Sequence, residues 1–427
     1  MCDKAVYDQV KDYYGKKVKK TTDLKLSACT VSAGTGMSKH AKEALASVHE
    51  EVCKKYYGCG LVIPEGLEGM KMLDLGSGSG QDCFVLSKLV GPEGYVVGID
   101  MTQEQLDVAN QYIDYHTKLY DYKNPNVKFV KGYIERLTEA GLEENSFDII
   151  ISNCVINLSP DKRAVLSQSY KILKMKMQLK GHHFNTVVKI KSESQKFLMN
   201  SRLDSKSGRN AGTGVVQGDY FEGDDVKTQV AHKIHYFERG RCQYHLTGLR
   251  AGGTYYFSFS QTTIGECISG ALYWKDFHEL AGDVGFSQAR IVSVSPIPVD
   301  REDFRKILGD IQFVSVTYRL FKLPPDYQKT PAQAIYNGEI TDHENEFKFD
   351  HQLTFLTNEP VCIDSETHAI LKYSRFKDEF MIRTQKCGTT GEGDSCSAVI
   401  NPFELLKTLQ TSGKTIANAC CGGKKCC

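Results

Sequence analysis

The sequence predicts an α/β fold, a Rossmann-like parallel sheet followed by a smaller C-terminal α+β region. Three observations predict it. From Lys71 onward, short apolar runs alternate with helical stretches, the pattern of βαβ units. The first run ends in a glycine loop, Gly76-Ser77-Gly78-Ser79-Gly80, that opens a helix. The second run ends on an acid, Asp100, where nucleotide-type sites of this architecture carry one.

Each element follows from local pattern. Residues 1–70 read as a polar, helical segment, with KHAKEALASVHEEVCKKYYG from Lys39 as its clearest amphipathic stretch. Strand 1 is Lys71–Leu75 (KMLDL), and the helix after the loop sets Val85/Leu89 and Leu86/Val90 on one face. Strand 2 is Tyr95–Asp100. The next helix opens at Thr102 with Gln105 three residues on, which reads as a capping box. Strands 3 and 4 are Val127–Lys131 and Phe147–Ser152. A further helix opens at Ser159-Pro160, a polar N-cap with proline at the first helical position, and runs to Lys174. Residues 175–250 are polar, weakly periodic and rich in Lys, Ser, Gly and His, and they read as an insertion. Patterning resumes with Gly253–Ser260 as strand 5 and a helix near Leu272–Ala281. Two β-like runs follow, from Ile291 and Phe313, which pair as an antiparallel hairpin at the sheet edge. Pro324-Pro325 marks a linker. Three regions result: a helical segment 1–70 carrying Cys29 and Cys59, a domain 71–325 interrupted at 175–250, and a C-terminal domain 330–427 with a Cys-rich tail.

Composition excludes several function classes. At 427 residues, 41% hydrophobic and 25% charged, the chain is an ordinary globular one, long enough for two or three cores. A net charge of +1 provides no long-range field for nucleic acid or anionic membrane. No apolar run approaches a membrane span, and the N-terminus lacks a signal-peptide core. A cytoplasmic monomer is the expectation, with neither nucleic acid nor membrane as partner. The 15 cysteines, an odd number in a chain without an export signal, then read as buried apolar residues or thiol ligands, not a disulfide framework.

The glycine loop narrows the chemistry. A dinucleotide fingerprint requires G-x-G-x-x-G, but the sixth position counted from Gly76 is Gln81. The spacing G-x-G-x-G suits a methionine tail better than a pyrophosphate, and Asp100 is positioned for both ribose hydroxyls. These features favour an S-adenosylmethionine-dependent methyltransferase of the Rossmann-like class I type.

The stretches YYGCGLVIPEGLE (from Tyr56), LDLGSGSGQDC (from Leu73), VVGIDMT (from Val96), GYIERL (from Gly132) and ISNCVINLSPDK (from Ile151) closely resemble the arsenite methyltransferases. GECISGALYW (from Gly265), FVSVTYRLFK (from Phe313) and IYNGEITDHE (from Ile335) extend the resemblance. It implies methyl transfer from S-adenosylmethionine to thiol-bound trivalent arsenic, giving methyl- and dimethylarsenicals. The implied cofactor residues are Tyr57, Gly76, Ser77, Gly78, Asp100, Met101, Ile134, Glu135 and Asn153. Core packing competes as the reading of Ile134 and Tyr57.

Trivalent arsenic is soft and prefers sulfur donors. Cys154 follows strand 4 on the same sheet edge as Gly76 and Asp100, where substrates bind. The resemblance implies Cys154 and Cys267 as the central arsenic pair, with Cys59 as third thiol. It further implies Cys29 pairing transiently with Cys59 in a disulfide, reduced by thioredoxin or glutathione as co-substrate. Arsenite or an arsenic–glutathione complex is the implied partner. The tail Cys420, Cys421, Cys426 and Cys427 lacks the C-x₂₋₄-C spacing of a zinc site and reads as a disordered tail.

The chain departs from the family pattern in the extra 175–250 and in a short Phe259–Ile264 stretch before Cys267. Two alternatives stay open: methylation of a quinone or other small molecule, or a non-catalytic arsenic-binding protein.

Overall fold

The computed structural model describes residues 2–18, 37–58, 60–182, 234–238, 241–245, 270–298, 302, 305, 312–383 and 399–412. The N-terminal segment contributes α1 (Cys2–Asp12), a single π-helical turn over Tyr13–Lys17, α2 (Lys39–Ala46) and α3 (Glu50–Lys54). The sheet comprises β1 (Lys71–Leu75), β2 (Tyr95–Asp100), β3 (Val127–Lys131), β4 (Phe147–Asn153), β5 (Leu173–His182), β8 (Arg290–Ile297) and β9 (Phe313–Phe321). Between them lie α4 (Gln81–Val90), α5 (Gln103–Gln111), α6 (Ile113–Leu119), α7 (Lys162–Ile172) and α8 (Trp274–Val284).

Strand order is β3-β2-β1-β4-β5-β9-β8, parallel through β5, with β9 antiparallel to both neighbours. The sequence-predicted edge hairpin is therefore present as β8 and β9. Parallel strands covered on both faces need apolar residues on both, and every residue of β4 is buried. Alternate residues serve opposite cores: Leu73, Leu75 and Ile150 pack on one face, Met72, Ile149 and Ile151 on the other. Each such fully buried side chain contributes about 2 kcal/mol through water exclusion.

Three local expectations need correction. The fifth strand is Leu173–His182, running straight on from α7, so residues 175–182 belong to the sheet and not to an insertion. The run LKMKMQLKGH alternates polar and apolar with period two, a strand signal that its high lysine content obscures. Gly253–Ser260, predicted as strand 5, lies outside the described residues, as does most of 183–250 apart from a hairpin of β6 (Ile234–Glu238) and β7 (Arg241–His245). The second correction is at α5, where Thr102 is the N-cap without a side-chain capping bond. Asp100 Oδ1 instead accepts from the Thr102 N–H at 2.8 Å, and Gln105 donates to the Tyr14 carbonyl. Finally, α7 is capped by Asp161, whose Oδ1 accepts from the Ala164 N–H at 2.9 Å, two residues beyond Ser159.

Beyond Pro324-Pro325 lie β10 (Ala332–Tyr336), β11 (Glu346–Lys348), β12 (Thr354–Leu356), β13 (Pro360–Ile363), α9 (Ser365–Tyr373), β14 (Phe380–Arg383) and α10 (Pro402–Ser412). Phe347, Phe349, Phe355, Phe376 and Phe380 form a core separate from the two on the large sheet. Among the described residues no helix is long and apolar enough to cross a membrane.

Candidate functional site

The strand order reverses between β1 and β4, which opens a crevice at the C-terminal edge of the sheet. The loops around it line a cleft that opens to solvent. The glycine loop forms its floor. Gly76 has φ +75°, and a Cβ there would come within 2.3 Å of the Val155 side chain. Only glycine lets the loop turn this sharply against the residues that follow β4.

Asp100, at the end of β2, is held by the loop it faces. Its Oδ2 accepts from the Gly78 N–H at 2.9 Å while Oδ1 accepts from the Thr102 N–H at 2.8 Å. Burial raises its pKa against the opposing effect of these bonds.

Two more carboxyls lie beside the loop. Asp74 in β1 and Asp82 in the first turn of α4 are both buried. Burial, then the charge of Asp82, pushes Asp74 well above the usual carboxylate range, and burial raises Asp82 to about 6. Asn153 Nδ2 donates to Asp82 Oδ2 at 3.0 Å, but Asp82 Oδ1 and Ser77 Oγ have no hydrogen-bond partner among the described residues. Buried carboxyls in this condition favour a cationic ligand.

The N-terminal segment closes the cleft. Tyr7, Val10 and Tyr14 line it from above. Gln105 Nε2 donates to the Tyr14 carbonyl at 3.1 Å, Tyr57 Oη to the Val18 carbonyl at 3.0 Å, and Lys11 Nζ to the Tyr133 hydroxyl.

Cys154 follows β4 directly, is 4% exposed, and lines the same cleft. Its φ of +64° is left-handed, a conformation that costs a residue with a Cβ about 1–3 kcal/mol and gathers at functional sites. Cys154 is disulfide-bonded, so its thiolate exists only after reduction. The turn beyond it is built on buried groups. Lys162 Nζ donates to the carbonyls of Asn157 and Ser159 at 3.2 and 2.9 Å, and Ser159 Oγ donates to Glu135. A Cβ on Gly270 would lie 1.6 Å from the Asn157 carbonyl oxygen, so the chain leaving the GECISG motif presses on this turn.

Every cofactor residue expected from sequence, Tyr57, Gly76, Ser77, Gly78, Asp100, Met101, Ile134, Glu135 and Asn153, lines this cleft together with Cys154. Cys29, Cys59, Cys267 and the four tail cysteines lie outside the described residues. Among those described, Cys53 and Cys83 are free, Cys362 is disulfide-bonded, and no cluster of three or more His, Cys, Asp or Glu could hold a metal ion. Sequence reading missed Asp74, Asp82, Tyr7 and Tyr14. Asp74 carried a signal, a lone carboxylate in an apolar strand; Tyr7 and Tyr14 carried none, because their helix docks from far along the chain.

A family model described as a methyltransferase domain matches residues 67–233, and one described as the arsenite methyltransferase C-terminal domain matches residues 329–427. The arsenite methyltransferase of Homo sapiens is 39% identical over 100% of this chain and 99% of its own length. That of Aquipseudomonas alcaligenes is 34% identical over 97% of this chain and 100% of its own. The crystal structure of an arsenic(III) S-adenosylmethionine methyltransferase from Chlamydomonas reinhardtii superposes with a TM-score of 0.62 at 31% identity, covering 82% of this chain and 97% of that one.

Proposed function

The chain belongs to the arsenite methyltransferases, S-adenosylmethionine-dependent enzymes that methylate arsenic, and we propose that Cys154 is the thiol holding arsenic against the cofactor. The observation that carries this reading is Cys154 itself, strained and buried in the wall of the cofactor cleft.

The cleft residues fit the cofactor. The unpartnered Asp82 Oδ1 and the raised pKa values of Asp74 and Asp82 suit its α-ammonium, and Asp100 suits the ribose hydroxyls. Ile134 and Glu135 follow β3, on the adenine side in this reading, and Tyr57 and Met101 enclose the ligand. The peptide groups of Gly76, Ser77 and Gly78 shape the floor, and Asn153 orients Asp82. When bound, S-adenosylmethionine supplies an electrophilic methyl carbon on a sulfonium centre.

Thiolate donors leave the arsenic lone pair free to attack that carbon as its bond to sulfur breaks. The transfer then needs no general base. The protein's contribution is proximity and alignment, with water excluded under Tyr7 and Tyr14. Two further thiols suit the same arsenic. Cys59 follows Gly58 of the cleft wall. Cys267 precedes Gly270 by three residues, a stretch that spans at most about 11 Å, and Gly270 abuts the turn after Cys154. Cys29 is the proposed partner of Cys59 in a transient disulfide. The disulfide at Cys154 requires two electrons from a thiol reductant, thioredoxin or glutathione, before arsenic binds. A reducing cytoplasm suits this chemistry, and the reading takes the chain as a monomer that accepts arsenite or its glutathione complex.

The test is chromatographic detection of methyl- and dimethylarsenicals from arsenite, S-adenosylmethionine and a thiol reductant, with Cys154→Ser alongside. Products from the parent and none from the variant support the assignment. Equal products from both would remove Cys154 from the site.

A further inference from the structure

Away from the cleft, a buried charge cluster joins three parts of the chain. Arg319 Nη2 of β9 donates to Glu65 Oε2 at 2.6 Å. Arg375, after α9, donates through Nε to the Glu65 carbonyl at 2.7 Å, and its Nη2 lies 3.9 Å from the same carboxylate. The arginine side chains are 0% and 1% exposed and Glu65 is 13% exposed. Burial and the neighbouring Arg319 charge pull Arg375 down to about 9, so the group is held at a cost. Arg319 Nε and Nη1 reach no acceptor among the described residues; the guanidinium lies among the rings of Phe347, Phe349 and Phe376 at 5.4–5.9 Å. Apolar packing would fill this space more cheaply, but it would not fix a loop in a single position as directional, charge-assisted bonds do.

The loop so fixed runs from Lys55 to Gly66, and its first half is a wall of the cofactor cleft, supplying Tyr56 and Tyr57. Two more bonds tie the C-terminal region to residues on either side of that loop: Thr341 Oγ1 to Glu68 Oε1 just after it at 3.0 Å, and His40 Nδ1 in α2 to Asp342 Oδ1 at 2.8 Å. A different group, Arg290 with Asp350 and Glu366, bolts that region to the sheet without touching the loop.

We propose that β9 and the C-terminal region together brace the cleft loop, with Glu65, Arg319 and Arg375 as positioning residues that set Tyr56 and Tyr57 for cofactor binding. The role assigned to those tyrosines rests on reading the cleft as the cofactor site.

The test uses the full chain and two readouts. Limited trypsin cleavage after Lys54 and Lys55 reports the loop without any cofactor, and calorimetric binding of S-adenosylhomocysteine reports the cleft. Glu65→Gln should speed cleavage at least tenfold and weaken binding at least fivefold, and Glu65→Asp, which keeps the charge, should recover part of both. Arg290→Ala should lower Tm but leave both readouts within twofold of the parent. The brace is refuted if Glu65→Gln leaves cleavage unchanged, or if Arg290→Ala accelerates it equally. Should Glu65→Gln not fold, Thr341→Ala with Asp342→Asn, at the surface, must speed cleavage at least twofold, and unchanged cleavage there refutes the brace too. A parent that binds no S-adenosylhomocysteine would sink the cofactor reading alone, since cleavage still reads the brace.

Discussion

The side-chain amide of Asn153 donates to Asp82 Oδ2 over 3.0 Å, tying the residue before Cys154 to the first turn of the helix after the glycine loop. The helix after the glycine loop and the strand end before Cys154 are thereby one hydrogen-bonded unit. Substitutions on one side should be readable on the other.

Cys154→Ser should separate binding from chemistry. Sulfur is the donor that soft arsenic requires, and a hydroxyl does not replace it. Methylation should fall at least about 100-fold, while the S-adenosylhomocysteine Kd stays within about threefold, a change of less than about 1 kcal/mol. Calorimetry and product chromatography on one preparation give both numbers.

Cofactor affinity should depend on pH through Asp82. Burial raises its folded pKa to about 6, above the unfolded value, so its contribution to stability is full at low pH and lost as pH rises through 6. A ligand ammonium reverses that balance by favouring the ionised form. S-adenosylhomocysteine should therefore raise Tm more at pH 8 than at pH 5, with a Kd roughly tenfold weaker at pH 5. Asp82→Asn should flatten this dependence; a parent Kd constant over that range would argue against Asp82 as a cation partner.

Removing residues 2–18 should loosen the cofactor without unfolding the chain. That strap reaches the rest largely through cleft residues, by the bonds of Gln105 to Tyr14, Tyr57 to Val18 and Lys11 to Tyr133. The expected effect is about a tenfold rise in S-adenosylhomocysteine Kd, close to 1.4 kcal/mol. The unliganded Tm should move by no more than about 3 °C. A large fall in the unliganded Tm would make the strap part of the core instead.

Lys162 should show the opposite pH sign from Asp82. Burial lowers its pKa to about 8, so between pH 8 and its unfolded value the unfolded chain binds more protons and stability rises with pH. Lys162→Met removes that rise and leaves the Asn157 and Ser159 carbonyls without their donor. Urea denaturation should find the variant destabilised by about 1–3 kcal/mol at pH 10, and by less at pH 7. A larger loss at pH 7 would contradict a Lys162 pKa lowered by burial.

Much of this was legible in the residues. The glycine loop, Asp100 and the apolar β4 are local signals, because turn geometry, a strand-end acid and two-face burial each need particular residue types at fixed spacing. The fifth strand was harder: period-two alternation in LKMKMQLKGH was present, but its lysines read as solvated chain. The capping box failed for a tertiary reason, since Gln105 donates to Tyr14 and Asp100 serves the Thr102 N–H.

By itself the sequence determined the Rossmann-like sheet, the glycine loop that floors the cleft and the strand end that carries Cys154, because short-range patterns encode them. Tertiary structure alone decided that Asp74 and Asp82 are desolvated together, that Tyr7 and Tyr14 close the cleft, and that Cys154 is disulfide-bonded in a left-handed turn. It also decided that Glu65 meets Arg319 and Arg375. Desolvation, lid contacts and ion pairing depend on which distant segments fold against one another, and no local spacing records that.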